Sequence, residues 1–393
     1  MKTRMLPILL AIGTTLLRDE LPSSPDMIVT NARIWTANPA QPVAEALAIR
    51  GDRIISVGTG AEIRRLAGPQ TNVVDLHGKL VVPGFIDAGV NLIEGGMHLY
   101  QFHAGAARNP EELRARVREY AANLPNGRWI VATDWDDRNW SHNKPATREI
   151  LDAVTGDHPA VIVTLDGRLA LANTIALRLA NITKAAGLPP DGGLYRDNKG
   201  EPTGLLIGSA IGLVERVIPP PCVGEVEDFL RLAMRHAAEN GITSVQDQTP
   251  SPQYARIWRE LARQGELTLR ITRQATLTAR TQEAEPAFRS GWDLGSLDPL
   301  GRIYAAVTSP AGALSVDAAL RAYTFGGAWV AAEDGEKGTL ETGKLADLVV
   351  LSDDILAQPC DRIRAARVIR TIVGGRVVYD RATGYQAVAV SSI

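Results

Sequence analysis

The chain has 393 residues, a formal net charge of −2 and two cysteines. This length suffices for one large α/β domain or two smaller ones with a sizeable core, so the fold does not need disulfides. Acidic and basic residues are interspersed without a Lys/Arg-rich block, which excludes the electrostatic footprint of a nucleic-acid-binding protein. Cys222 and Cys360 match no zinc or redox spacing. We therefore expect a small-molecule partner, no nucleic acid and two ordinary thiols.

The amino end has the layout of a secretory signal. Lys2 and Arg4 precede an apolar stretch that ends at Leu17. That stretch is shorter than the roughly 20 apolar residues that cross a bilayer, so no stable membrane span is expected. No small-residue cleavage site follows it. Residues 1–17 therefore predict a periplasmic or secreted protein, with a cytoplasmic location as the alternative.

Both chain ends are rich in β-branched residues separated by turn residues. Residues 27–82 contain several such runs, and residues 336–381 contain "KLADLVVLS" and "ARVIRTIVGGRVVYDR". Gly374 and Gly375 stand between two apolar runs, which is typical of a β-hairpin. The simplest assembly is a small β-sandwich that is built from both ends and encloses the middle of the chain.

The middle, residues 83–335, alternates strand-like and helix-like segments, which favours βα units and a largely parallel sheet. Strands are expected at 79–87, 128–135, 160–167, 242–247 and 267–277, and helices at 226–240, 251–264 and 315–332. A further helix should begin at Pro110, with Asn109 as its cap and Glu112 completing a capping box. The Gly- and Asp-rich stretch "LPPDGGLYRDNKGEPTG" is expected to form a long functional loop.

Several carboxylates end strand-like runs, where barrel enzymes place their chemistry. Asp87, Asp166 and Asp247 are the candidate catalytic residues. If Asp134, Asp166 and Asp247 converge on one pocket, they could bind a hard cation. The alternative for Asp166 is a salt bridge with Arg168 that fills the pocket.

The same strand ends supply the candidate substrate-pocket residues, which are Asn91, His103, Asp134, Trp135 and Arg168. His98 and His103 are five positions apart, which fits neither a helix face nor a strand face. Joint metal ligation by this pair is therefore disfavoured.

Many segments, in order, resemble the amidohydrolase superfamily and within it amidohydrolase family 3. The matching strings include "VVPGFID", "GRWIVATDWD", "LANTIAL", "GGLYRDNKGEPTGLL", "GITSVQD" and "EKGTLETGKLADLVVL". The resemblance implies an α/β fold with a distorted TIM-like (β/α) barrel, an active site at the carboxyl ends of its strands and a β-sandwich made from the termini. It also implies hydrolysis of C–N bonds in amides or formamides with zinc or another divalent metal.

The sequence departs from that family where the metal should bind. Gly89 and Asn91 stand where relatives carry a His-x-His pair, and the family's "DGH" reads "DGR" with Arg168. Glycine offers no ligand, and a neutral carboxamide does not replace imidazole as a donor to zinc. We therefore expect no cofactor in this copy and no metal ligands among these positions.

The sequence also predicts a shortened barrel. A βαβ unit takes roughly 30 residues or more, so the run from Thr278 to Leu314 holds about one. The candidate strands give five or six barrel strands instead of eight, with an internal deletion near 278–292. We expect a catalytically impaired hydrolase or, alternatively, a non-catalytic small-molecule-binding or assembly protein. Exposed barrel edges would favour a homo-oligomer.

Overall fold

The computed structural model describes residues 24–136, 140, 146–248, 251–273, 297–310 and 313–385. The signal-like segment 1–17 and the expected deletion site at 278–292 lie outside the described residues, so both remain predictions. Within the described residues, no helix is long and apolar enough to cross a membrane.

The elements of the amino-terminal part are β1 Met27–Thr30, β2 Arg33–Trp35, β3 Val43–Ala44, β4 Ala46–Arg50, β5 Arg53–Gly58, α1 Gly60–Arg64, β6 Asn72–Asp75 and β7 Leu80–Pro83. There follow β8 Phe85–Val90, α2 Leu92–Tyr100, α3 Pro110–Ala122, β9 Ile130–Trp135, α4 Glu149–Asp152, β10 Ala160–Thr164, β11 Leu169–Ala172, α5 Thr174–Leu179, β12 Gly192–Arg196, β13 Pro202–Gly208 and α6 Ile211–Glu215. The remaining elements are α7 Val223–Glu239, β14 Ile242–Asp247, α8 Pro252–Arg263, β15 Arg270–Arg273, α9 Pro299–Thr308, α10 Val316–Tyr323, α11 Phe325–Val330, β16 Leu348–Leu351, a 3-10 helix Cys360–Arg364, β17 Val368–Val373, β18 Arg376–Asp380 and β19 Gly384–Tyr385.

The two ends of the described chain share one seven-stranded sheet, in the order β19-β18-β17-β16-β7-β2-β3. A four-stranded sheet, β5-β4-β1-β6, lies beside it, and side chains of both sheets enter one hydrophobic cluster with Leu47, Val81 and Val350. The predicted hairpin at Gly374–Gly375 is confirmed, because β17 and β18 pair antiparallel on either side of it. Both glycines have a positive φ, a backbone conformation that residues with a Cβ rarely adopt.

A second part of the fold is a three-stranded parallel sheet with the order β15-β14-β8. Helix α7 packs on it through an apolar stripe that includes Phe229, Leu230 and Ala233, and these side chains share a core with Phe85 and Val245. The helices predicted at 226–240 and 251–264 are confirmed as α7 and α8, and the helix predicted at 315–332 is divided into α10 and α11.

The expectation of five or six barrel strands is wrong for the described residues. The runs at 128–135 and 160–167 form β9 and β10, which pair with each other in a separate five-stranded sheet, β12-β13-β11-β10-β9. Parallel strands that are buried on both faces look alike in sequence whichever sheet they join. The local pattern therefore gave the strands correctly and their sheet incorrectly.

The expected long loop is also corrected. Its residues form the antiparallel hairpin of β12 and β13, an ordinary part of the five-stranded sheet. The Gly- and Asp-rich turn between the two strands accounts for the composition that suggested a loop. By contrast, α3 begins at Pro110 as predicted, with the side chain of Asn109 accepting a hydrogen bond from the Glu112 N–H at 2.8 Å. The predicted capping box is not completed, because the Glu112 carboxylate accepts from the N–H of Arg108 at 2.9 Å instead of from the N–H of Asn109.

A buried ion pair joins the parallel sheet to the sheet of the chain ends. Arg270 in β15 donates through Nε to Oδ2 of Asp347 at 2.7 Å and through Nη2 to Oδ1 at 3.0 Å. Both side chains are almost fully buried, at 7% and 4% exposure. Asp347 also accepts the N–H of Gly374, and its backbone carbonyl accepts the N–H of Gly84. One residue thus connects three distant segments.

We expect Asp347→Ala to lower the free energy of unfolding by about 3–5 kcal/mol, because it leaves the Arg270 guanidinium buried without its carboxylate. Chemical denaturation measures this change. The double variant Arg270→Leu/Asp347→Leu should recover a large part of the loss. Arg263→Gln, which breaks an exposed pair with Glu260, serves as the control and should change stability by less than about 1 kcal/mol. A loss below about 1 kcal/mol for Asp347→Ala would contradict this role.

Candidate active site

Two of the three candidate catalytic residues lie on neighbouring strands toward the carboxyl edge of the parallel sheet. Asp87 lies in β8 opposite Val245, and Asp247 is the last residue of the neighbouring strand β14, opposite Val90. Their exposures are 0% and 4%. Buried carboxylates are costly without hydrogen-bond donors, so the donors that each one receives reveal what it does here.

Each carboxylate accepts a backbone N–H. Oδ1 of Asp87 accepts from Gly89 at 3.0 Å, within its own strand. Oδ1 of Asp247 accepts from Leu92 at 3.1 Å, at the first residue of α2. Asn91 precedes this helix but its side chain makes no capping hydrogen bond. The cap of α2 therefore comes from Asp247, on a different strand.

Tyr323 of α10 is buried near Asp87, with its ring 5.8 Å from the ring of Phe85. Burial raises the pKa of Tyr323, and the Asp87 carboxylate raises the same pKa further. The phenol therefore stays neutral across the ordinary pH range.

The third catalytic candidate, Asp166, lies on the other sheet, in the turn between β10 and β11. It is exposed, and it forms the predicted ion pair with Arg168, at 2.8 Å. The Thr164 hydroxyl donates to it at 2.7 Å and, together with Arg168, lowers the pKa of Asp166 to about 2. This pair stands in solvent, so the expectation that it fills a pocket is wrong.

Asp134 and Trp135 end β9 in the same five-stranded sheet. Asp134 accepts the N–H of Ala104 at 2.8 Å, and its Oδ2 lies 3.2 Å from Nδ1 of His103. Trp135 is buried and packs against Trp140. The hypothesis that Asp134, Asp166 and Asp247 converge is not supported, because the first two belong to one sheet and Asp247 to another.

A cleft of about 560 Å³ runs beside the Asp166 turn. Its lining includes Trp135, Thr164, Asp166, Arg168 and Ile207. Two of the predicted substrate-pocket residues, Trp135 and Arg168, thus share a cleft, whereas Asn91 lies at the carboxyl edge of the parallel sheet.

The donor set does not fit a catalytic metal. Gly89 contributes no side-chain ligand, and one oxygen each of Asp87 and Asp247 accepts a backbone N–H. Across the residues that the structure describes, no group of three or more His, Cys, Asp or Glu side chains is placed to hold a metal ion. We therefore assign no step to a metal at this edge.

One buried charge was missed from the sequence. Lys337 is 4% exposed, donates to the Ser244 hydroxyl at 2.6 Å and pairs with Glu333 at 2.7 Å. Ser244 belongs to β14, so this lysine holds the segment after α11 against the parallel sheet. A lone lysine in "GEKGT" carries no sequence signal that distinguishes it from an exposed one.

Known proteins are similar in sequence to more than half of this chain. It is 35% identical to Protein LONG AFTER FAR-RED 3 of Arabidopsis thaliana over 56% of this chain and 38% of that protein. It is 26% identical to the N-substituted formamide deformylase of Arthrobacter pascens over 71% of this chain and 51% of that protein. The chain thus spans about half or less of the length of these relatives.

Among solved structures, an uncharacterized metal-dependent hydrolase from Pyrococcus furiosus aligns with a TM-score of 0.65 at 18% identity, covering 84% of this chain and 99% of that one. At this identity the likeness concerns the fold, which is that of a TIM-like barrel protein. The family model "Amidohydrolase family" matches residues 72–293 and 287–379. The match covers most of the chain, and the protein belongs to the amidohydrolase family.

Proposed function

We propose that this protein is a catalytically impaired amidohydrolase, descended from metal-dependent hydrolases of non-peptide C–N bonds such as amides or formamides. The observation that carries the proposal is the use of Asp87 and Asp247. Both carboxylates serve as acceptors for backbone N–H groups, beside a position where Gly89 and Asn91 replace a histidine pair. Without imidazole ligands, a water molecule is not activated by zinc at this edge.

The number of strands in the described parallel sheet and the two segments of the family match support the same proposal. The described parallel sheet has three strands, and the two segments matched by the family model meet at 287–293, close to the deletion expected at 278–292. We infer a shortened, distorted barrel beside a sandwich of the two chain ends. The substrate class is inferred from the relative named as a formamide deformylase, over the part that aligns.

A second candidate function is non-catalytic binding of a small molecule. The cleft beside Trp135 and Arg168, of about 560 Å³, favours it, because ligand sites in proteins have volumes of roughly 300–1,000 Å³. Saturable stabilisation by a ligand without turnover would support binding over catalysis.

The metal hypothesis is tested by elemental analysis of protein purified without chelators and then dialysed against zinc or manganese. We expect far less than one equivalent of either metal and no hydrolysis of N-substituted formamides. Asp87→Asn should leave the metal content unchanged, and His77→Gln, at an exposed histidine, controls for adventitious binding. One tightly held equivalent that supports turnover and is lost in Asp87→Asn would overturn the proposal.

The structural role of Asp247 gives a separate test. Asp247→Ala should lower the free energy of unfolding by about 0.5–2 kcal/mol, as expected for loss of a helix cap. Asp247→Asn keeps an acceptor oxygen and should lose less. Thermal or urea unfolding of both variants provides the measurement. Equal losses would show that the charge matters and not the cap.

Asp166 is expected to act as a surface anion. Because its pKa in the folded protein, about 2, is below the ordinary 3.8, its stabilising pair with Arg168 is present above about pH 4 and is lost as pH falls toward 2. Thr164→Val should raise this pKa toward 3.8, since the Thr164 hydroxyl is the largest cause of the shift. NMR titration of the carboxyl carbon measures it, with Asp197 as an unaffected reference. A midpoint near 4 in the unaltered protein would contradict the assignment.

A further inference from the structure

A second polar cleft lies at the opposite end of β14 from Asp247. It has a volume of about 500 Å³, and it forms where the end of α7, the start of α9, the 3-10 helix and the β17–β18 pair meet. Glu239 and Asn240 line it just before β14 begins at Ile242. The cleft is therefore separate from the edge that carries Asp87 and Asp247.

Three arginines line this cleft, namely Arg364, Arg367 and Arg381. All three are exposed, and the part of the chain that the structure describes gives none of them a carboxylate partner. Three guanidinium groups thus line one concave surface, where they offer the forked donors that suit phosphate and carboxylate oxygens.

Two of these arginines are held in place. Nη1 of Arg367 donates to the backbone carbonyls of Arg364 and Ala366, both at 2.8 Å. The guanidinium of Arg364 lies over the ring of Tyr304, 5.4 Å from its centroid. Neutral carbonyls and an aromatic ring orient these groups without cancelling their charge. An anion would therefore meet donors that have already lost part of their freedom.

Two carboxylates in the lining restrict the ligand further. Asp298 caps α9 by accepting the N–H of Gly301 at 2.9 Å, and Glu239 lies at the end of α7. Acidic groups beside the arginines favour a molecule that also carries hydrogen-bond donors. We propose that this cleft binds a small organic molecule with a phosphate or carboxylate group and with hydroxyl or amino donors. This site does not depend on whether the protein hydrolyses C–N bonds.

Inorganic phosphate, glycerol phosphate and acetate, each titrated into the full chain at constant ionic strength, test the proposal by calorimetry and thermal shift. We expect saturable binding of phosphate or acetate, which identifies the oxyanion. If phosphate binds, glycerol phosphate should bind more tightly, because its hydroxyls supply hydrogen-bond donors for the two carboxylates in the lining. Saturable binding of neither ion would overturn the proposal, as would glycerol phosphate binding more weakly than phosphate.

Arg364→Gln/Arg381→Gln should weaken the affinity for the bound ion at least about tenfold, since two charge-assisted hydrogen-bond donors are lost. Arg118→Gln, at an exposed arginine on α3, should bind as the unaltered protein does. If loss of the Tyr304 contact unfolds the double variant, the affinity of the single variant Arg381→Gln for the bound ion provides the test. Equal affinity in the unaltered protein and the cleft variant would refute the site.

Discussion

The buried pair of Arg270 and Asp347 is the interaction on which the arrangement of the two main parts depends. It joins β15, at one side of the parallel sheet, to the residue that precedes β16 in the sheet of the chain ends. The Asp347 carboxylate also accepts the N–H of Gly374, and its backbone carbonyl accepts the N–H of Gly84. A charge of this kind is tolerated only with near-complete hydrogen bonding, so these segments must meet in one geometry.

At the carboxyl edge of the parallel sheet, as in the Arg270–Asp347 pair, buried charged groups receive hydrogen bonds. Asp87 and Asp247 are buried and hydrogen-bonded, because a buried carboxylate without donors is costly. A backbone N–H donates to one oxygen of each carboxylate. Both carboxylates thus contribute hydrogen bonds to the structure of this edge.

Features that depend on neighbours in sequence were predictable. The Asn109 cap acts three residues away, and the glycine pair at 374–375 sits within its own hairpin. The membership of β9 and β10 in a separate sheet was not predictable from periodicity, because that choice is made by partners far along the chain. The candidate site was predicted only in part for the same reason. Asp247 was predicted correctly as the last residue of its strand, whereas Asp87 lies inside β8, which continues to Val90. The acceptor role of Asp247 depends on Leu92, which is 155 positions away.

That separation of 155 positions also bears on the order in which the chain acquires structure. Helix α2 is made early, yet its capping carboxylate emerges only when β14 has been synthesised. Until then its first turn lacks this acceptor, and short helices are marginal without tertiary contacts. Pairing of β7 with β16 waits longer still. Such long-range closures slow folding, so the nascent amino-terminal half must remain soluble before its partners arrive.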